Sequence, residues 1–66
     1  MTGVQIGDQV RVSESVASDY AGRFGVIVRM EERKAAGVIT MTECEVQFTD
    51  GVRRVYFAFQ LTQVQQ

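Results

Sequence analysis

The residues of this chain that are able to do chemistry are few. Arg53 and Arg54 stand side by side, and Arg11, Arg23 and Arg29 lie in neighbouring apolar-polar stretches. A guanidinium offers a planar fork of donors that stays charged, so such a stripe suits phosphates or acidic protein surfaces. The ordinary alternative is a solvated face neutralised across strands by Glu31, Glu43 and Glu45, each pair contributing less than about 1 kcal/mol. Tyr20 and Tyr56 are the two tyrosines, and are the candidates for stacking on bases. Arg11, Tyr20, Arg23, Arg29, Arg53 and Arg54 together make the nucleic-acid reading of the sequence. Glu43 and Glu45 sit two apart, as paired carboxylates of hydrolases do, but on an open face nothing desolvates either one. Cys44 is expected to point inward as a small hydrophobe. No adjacent base or helix N-terminus is in place to lower its pKa.

What is missing narrows the classes further. The 66 residues contain no His, one Cys and no Pro. Zinc-histidine sites, Ser-His-Asp catalysis and an intramolecular disulfide are thereby excluded, and no metal or cofactor is expected. Net charge is −1, balanced in both halves, so the strongly basic footprint of a nucleic-acid binder is absent. No apolar run approaches the roughly 20 residues of a membrane span, and Met1-Thr2-Gly3-Val4-Gln5 lacks the regions of a signal peptide. These features predict a soluble cytoplasmic chain. With 45% apolar and 23% charged residues it is globular, and its length allows one domain, residues 1–66, with a thin core.

Short apolar stretches separated by Gly and turn residues position these groups, the pattern of an all-β domain. The first strand covers Asp8 to Ser13, with Val10 and Val12 on one face. A polar loop runs from Ser13 to Gly22, from which Val16 or Tyr20 is expected to reach back over the core. The second strand spans Arg23 to Glu31. Its alternation puts Phe24, Val26, Val28 and Met30 on one face and Ile27 on the other, with Arg23, Gly25, Arg29 and Glu31. Glu31 to Gly37 reads as a charged tip, a loop with room for one helical turn.

The third strand spans Val38 to Phe48, where Cys44, Val46 and Phe48 alternate with Glu43, Glu45 and Gln47. Ile39 and Met41 sit on the opposite parity. Either a bulge lies near Thr42-Glu43 or this end carries an outward apolar face. Asp50-Gly51 predicts a two-residue hairpin that pairs Val46 with Val55, Gln47 with Arg54 and Glu45 with Tyr56. Ala58-Phe59-Gln60 reads as a tight turn and Leu61 to Val64 as a closing strand. Five short strands with one thin core predict a small bent barrel, an SH3-like barrel with a short turn of helix before the last strand.

Ile6-Gly7-Asp8-Gln9-Val10-Arg11-Val12, followed by Ala21-Gly22-Arg23-Phe24-Gly25-Val26-Ile27-Val28, resembles the KOW motif of ribosomal proteins and transcription elongation factors. In that motif Gly7-Asp8 sets a turn, Gly22 takes positive φ and Gly25 permits a close backbone approach. Cys44 to Gly51, then Val55-Tyr56-Phe57 to Leu61, is similar to another branch of SH3-like barrels. That branch holds the small peripheral subunit of photosystem I, the ferredoxin-thioredoxin reductase variable chain and small subunits of photosynthetic dehydrogenase complexes. The type II dihydrofolate reductase family shares the barrel. Its Val-Gln-Ile-Tyr strand falls on Arg53-Arg54-Val55-Tyr56, with Arg54 where that family has Gln.

These observations predict a non-enzymatic binding module for a protein partner or a second copy of the chain. Ile27, Ile39, Met41 and Tyr56 would form an outer apolar patch, with Arg53 and Arg54 as its charged rim. The first alternative is a KOW-like nucleic-acid or ribonucleoprotein module. The second, implied by the reductase resemblance, is a symmetric oligomer in which Arg54, Val55 and Tyr56 share an NADPH-binding pore.

Overall fold

The computed structural model describes residues 3–37 and 39–64. It is all-β: five antiparallel strands in one sheet, β1 (Gln9–Val12), β2 (Phe24–Ala35), β3 (Ile39–Phe48), β4 (Arg53–Phe57) and β5 (Leu61–Gln63). A single 3-10 turn, Ala58–Gln60, precedes β5 as expected. The sheet order is β4-β3-β2-β1-β5. Laid flat, its two edges would lie about 19 Å apart. Yet Tyr56 of β4 and Leu61 of β5 belong to one core with Val10, Val12, Ile27, Cys44, Val46 and Phe48. The sheet is therefore strongly curled, and every strand contributes to the same interior. Val16 and Tyr20 of the 13–22 loop pack against that core, as the sequence predicts.

Glycines make the curl possible. Gly25 pairs with Val10 on β1 and Phe48 on β3. A Cβ on Gly25 would lie 2.5 Å from Val46 Cγ1 and 2.9 Å from the Gln47 carbonyl oxygen, closer than atoms can approach. The close backbone approach expected at Gly25 is thus a steric requirement. Gly22 has φ 80°, and its amide donates to the Val12 carbonyl at 2.8 Å.

Three expectations are corrected. The segment 31–37 is not a loop with a helical turn. β2 runs on to Ala35 and pairs with β3 as far as Ile39, so the two strands form a long arm. Arg33 explains why a charged segment holds this form. Glu31 and Glu43 face each other across the ladder, and Arg33 bonds both, at 3.5 and 2.8 Å. The turn at the end of the arm includes Ala36 (φ 55°) and Gly37 (φ 72°); Val38, expected to open the third strand, lies outside the described residues.

The second correction concerns β2. Ile27 is 1% exposed, whereas Phe24 and Val26 are 50% and 41% exposed. The register with β3 shifts between Ile27 and Arg29, which makes Val28 an extra residue in the ladder, a bulge. Upstream of it Gly25 and Ile27 face inward; downstream Met30 does, packed partly buried against the core. Of the two alternatives for the parity of Ile39 and Met41, a bulge near Thr42-Glu43 or an outward apolar face, the second holds, and the bulge lies in β2. β3 is regular from Glu45 to Ile39, so Ile39 and Met41 share the outer parity of Glu43 and Glu45.

The third correction is the turn between β3 and β4. Phe48 donates its amide to the Val52 carbonyl at 2.9 Å, and Gly51 donates to the Phe48 carbonyl at 2.9 Å. The loop thus holds three residues, Thr49, Asp50 and Gly51, with Gly51 at φ 85°, a turn closed by a left-handed glycine. One extra loop residue slips the register by one. Val46 faces Arg54, Cys44 faces Tyr56 and Glu45 faces Val55. Every side chain of β4 therefore points opposite to the two-residue reading.

Candidate functional site

The predicted apolar patch does not exist as a unit. Ile27 and Tyr56, expected on the outer wall, are core residues at 1% and 5% exposure. Tyr56 turns inward because of the slipped turn. Its hydroxyl lies 2.8 Å from Ser18 Oγ, tying the 13–22 loop to the barrel. Ile39 is 58% exposed near the tip of the arm, and Met41 is half-buried beside Arg33.

A different apolar surface takes its place. Phe24, Val26 and Val28 line an open groove of about 440 Å³ with Gln9, Gly25, Gln47, Phe48 and Thr49. Phe24 and Val26 face outward because Gly25 and Ile27 face inward. Their rows continue with polar side chains across the sheet, Gln9–Val26–Gln47–Arg53 and Phe24–Arg11. Arg53 donates from Nε to Gln47 Oε1 at 3.1 Å. Arg11 lies 5.9 Å from the Phe24 ring centre, donates to the Gly22 carbonyl at 3.1 Å and pairs with Glu14. These residues place cations at the groove's margins, while no carboxylate lines it.

The six residues of the nucleic-acid reading divide. Arg29 donates from Nε to Glu45 Oε1 at 3.1 Å, so it is neutralised on the outer face as an ordinary cross-strand pair. Arg11 and Arg53 are held as described. Tyr20, Arg23 and Arg54 come together. The Tyr20 ring stacks on Phe48 with centres 4.3 Å apart, and Phe48 meets Tyr56 edge-on at 6.4 Å. Phe48 fills one face of Tyr20 and leaves the other to cations. The Arg23 and Arg54 guanidinium carbons lie 5.2 and 5.4 Å from the ring centre, within cation–π range. Arg54 reaches this place because it shares the parity of Val46, at the end of the barrel that Tyr20 closes.

Asp50 completes the cluster. Its Oδ2 accepts from the Tyr20 hydroxyl at 2.6 Å and its Oδ1 from the Val52 amide at 3.0 Å. The bond from Tyr20 is the leading reason the Asp50 carboxyl is held below its usual value, with the Val52 amide adding to it. The same bond is the main cause that raises the Tyr20 hydroxyl above its ordinary value. Asp50 was expected only as a turn residue; the three-residue loop is what carries it to Tyr20. Among the described residues neither Arg23 nor Arg54 forms an ion pair.

The groove and the arginine cluster adjoin. Phe48 lines the groove and stacks on Tyr20, Arg23 precedes Phe24, and Thr49 precedes Asp50. Elsewhere, burial pushes the Cys44 thiol up from its ordinary pKa, which fits the inert role expected of it. No group of three or more His, Cys, Asp or Glu able to hold a metal occurs among the described residues, and no helix there is long and apolar enough to cross a membrane. Against known proteins, no family model, no curated protein and no solved structure matches the chain.

Proposed function

We propose that this chain is a small non-enzymatic binding module, an SH3-like barrel that engages a protein partner through the outer face of its sheet. The observation that carries the reading is the groove beside Phe24 and Val26, two side chains 50% and 41% exposed on a rigid sheet. An exposed aromatic on a strand loses little conformational freedom when covered, and such residues dominate interface energetics. The groove is apolar within and bordered by Arg53, whose bond is to the uncharged Gln47, so it suits an apolar side chain flanked by an acidic group. The strand order with its 3-10 turn before β5 supports the barrel type. A reducing cytoplasmic setting agrees with the single buried thiol of Cys44.

We prefer the binding-module reading to the reductase-like alternative, in which Tyr56 would serve a shared pore, because the Tyr56 side chain is 5% exposed. The test of the preferred reading is Phe24→Ser. It is expected to remove binding of peptides selected from a random displayed library while leaving the melting curve nearly unchanged, since Phe24 is half exposed. Selected peptides that bind the variant as well as the parent chain refute the reading.

A further inference from the structure

Arg23 and Arg54 are two cations gathered on one ring without a neutralising ion pair, next to an apolar groove. We infer that they clamp a carboxylate of the partner segment whose apolar side chain fills the Phe24 groove, so that the module recognises acidic-hydrophobic peptide. This rests on the protein-binding reading above and names the chemistry of its ligand. Two guanidiniums against the single carboxylate of Asp50 leave one positive charge to be met, and Asp50 already accepts from Tyr20 and Val52. Tyr20 bonded to Asp50 and stacked on Phe48 gives the two arginines a fixed platform. The clamp thus has part of its ordering cost met before the ligand arrives.

Nucleic acid is the weaker fit. A strand would need several phosphates neutralised together, whereas Arg11, Arg29 and Arg33 are engaged by carboxylates of the chain itself. A base would need a free aromatic face, and Tyr20 has Phe48 on one side and guanidiniums on the other. Phe48, which lines the groove and stacks on Tyr20, links the two features, so one extended peptide that presents an acidic and an apolar residue close together suits them both.

The experiment pans a random displayed peptide library on the full chain and measures synthetic copies of the enriched peptides by fluorescence anisotropy. Enrichment of Asp or Glu beside an aromatic or aliphatic residue is expected. Arg23→Gln with Arg54→Gln should weaken binding about tenfold or more, the scale of a charge-assisted contact, and Lys at both positions should restore part of it. Added salt should weaken the parent and leave the double variant little changed. Melting curves of each variant confirm folding. Enriched peptides without acidic residues, or binding indifferent to both arginines but lost in Phe24→Ser, overturn the clamp and leave the groove standing. No enrichment, or sedimentation showing a dimer that Phe24→Ser dissolves, overturns the partner reading itself. A labelled single-stranded oligonucleotide that binds more tightly than the peptides, with the same arginine dependence, overturns the ligand class.

Discussion

Single residues decide how the 13–22 loop is held. The Tyr20–Asp50 bond joins that loop to the turn between β3 and β4, and it shifts the two groups in opposite directions. For Asp50 the folded value lies below the ordinary 3.8. Its stabilisation is then complete above about pH 4 and is lost as pH falls through the lowered folded value. For Tyr20 the folded value lies above 10.0, so its stabilisation is present below that pH and disappears as pH rises through the raised value. Urea midpoints followed from neutral to acid pH should fall less steeply in Asp50→Asn than in the parent chain; equal slopes refute this. Tyr56 offers a second residue-scale test. Tyr56→Phe leaves Ser18 without its partner at the barrel and should cost about 1 kcal/mol in urea unfolding. It should also speed amide exchange in the 13–22 loop.

At the scale of elements, strand β2 shows what was legible in the sequence and what was not. The existence of the strands, the Gly7-Asp8 turn, the tight turn at 58–60 and the inward set Cys44, Val46 and Phe48 follow from period and turn chemistry. The facing of β2 does not, because counting apolar side chains favours Phe24, Val26, Val28 and Met30 over Gly25 and Ile27. The steric demand at Gly25 reverses that count: a residue with no side chain marks the face where strands cross most closely. The arm of β2 and β3 was hidden for another reason. Its residues are good helix formers, and hairpin pairing with the strand just beyond the turn, Ala35 with Ile39 through Glu31 with Glu43, overrides that preference. Gly25→Ala should cost about 1–3 kcal/mol, the range for overpacking, since Val46 and the Gln47 backbone must both move. Calorimetric melting that gives an unchanged midpoint contradicts this account. The candidate site was half legible. The sequence singles out Arg54 for a partner and Tyr20 and Arg23 only for nucleic acid, whereas Asp50 and Phe24 emerge only with the register.

At the scale of the molecule, the fold is closed by pairing between strands from opposite ends of the chain. Val10 faces Gln63 and Val12 faces Leu61, and the Ser13 amide donates to the Gln60 carbonyl at 2.9 Å. The 3-10 turn delivers Leu61 into the core beside Val10 and Val12. A domain this small has few other contacts to compensate. Removing residues 61–64 is therefore expected to abolish cooperative melting and the β-type dichroism together. A truncated chain that still melts cooperatively would place the stabilising contacts elsewhere. Most of the ladder joins residues distant in sequence, so folding should take milliseconds to seconds, slower than a helical bundle of similar length.

The three-residue loop at Thr49, Asp50 and Gly51 has a consequence for variation in this chain. Exchanging a side chain there acts locally, on the bonds of Asp50 or the left-handed backbone of Gly51, but losing a single codon would rotate the entire following strand. Val55 would enter the interior, Tyr56 would leave Ser18, and Arg54 would swing away from Tyr20. Tolerance at this corner is thus a matter of count before chemistry, and indels of one residue should be far more damaging there than most substitutions.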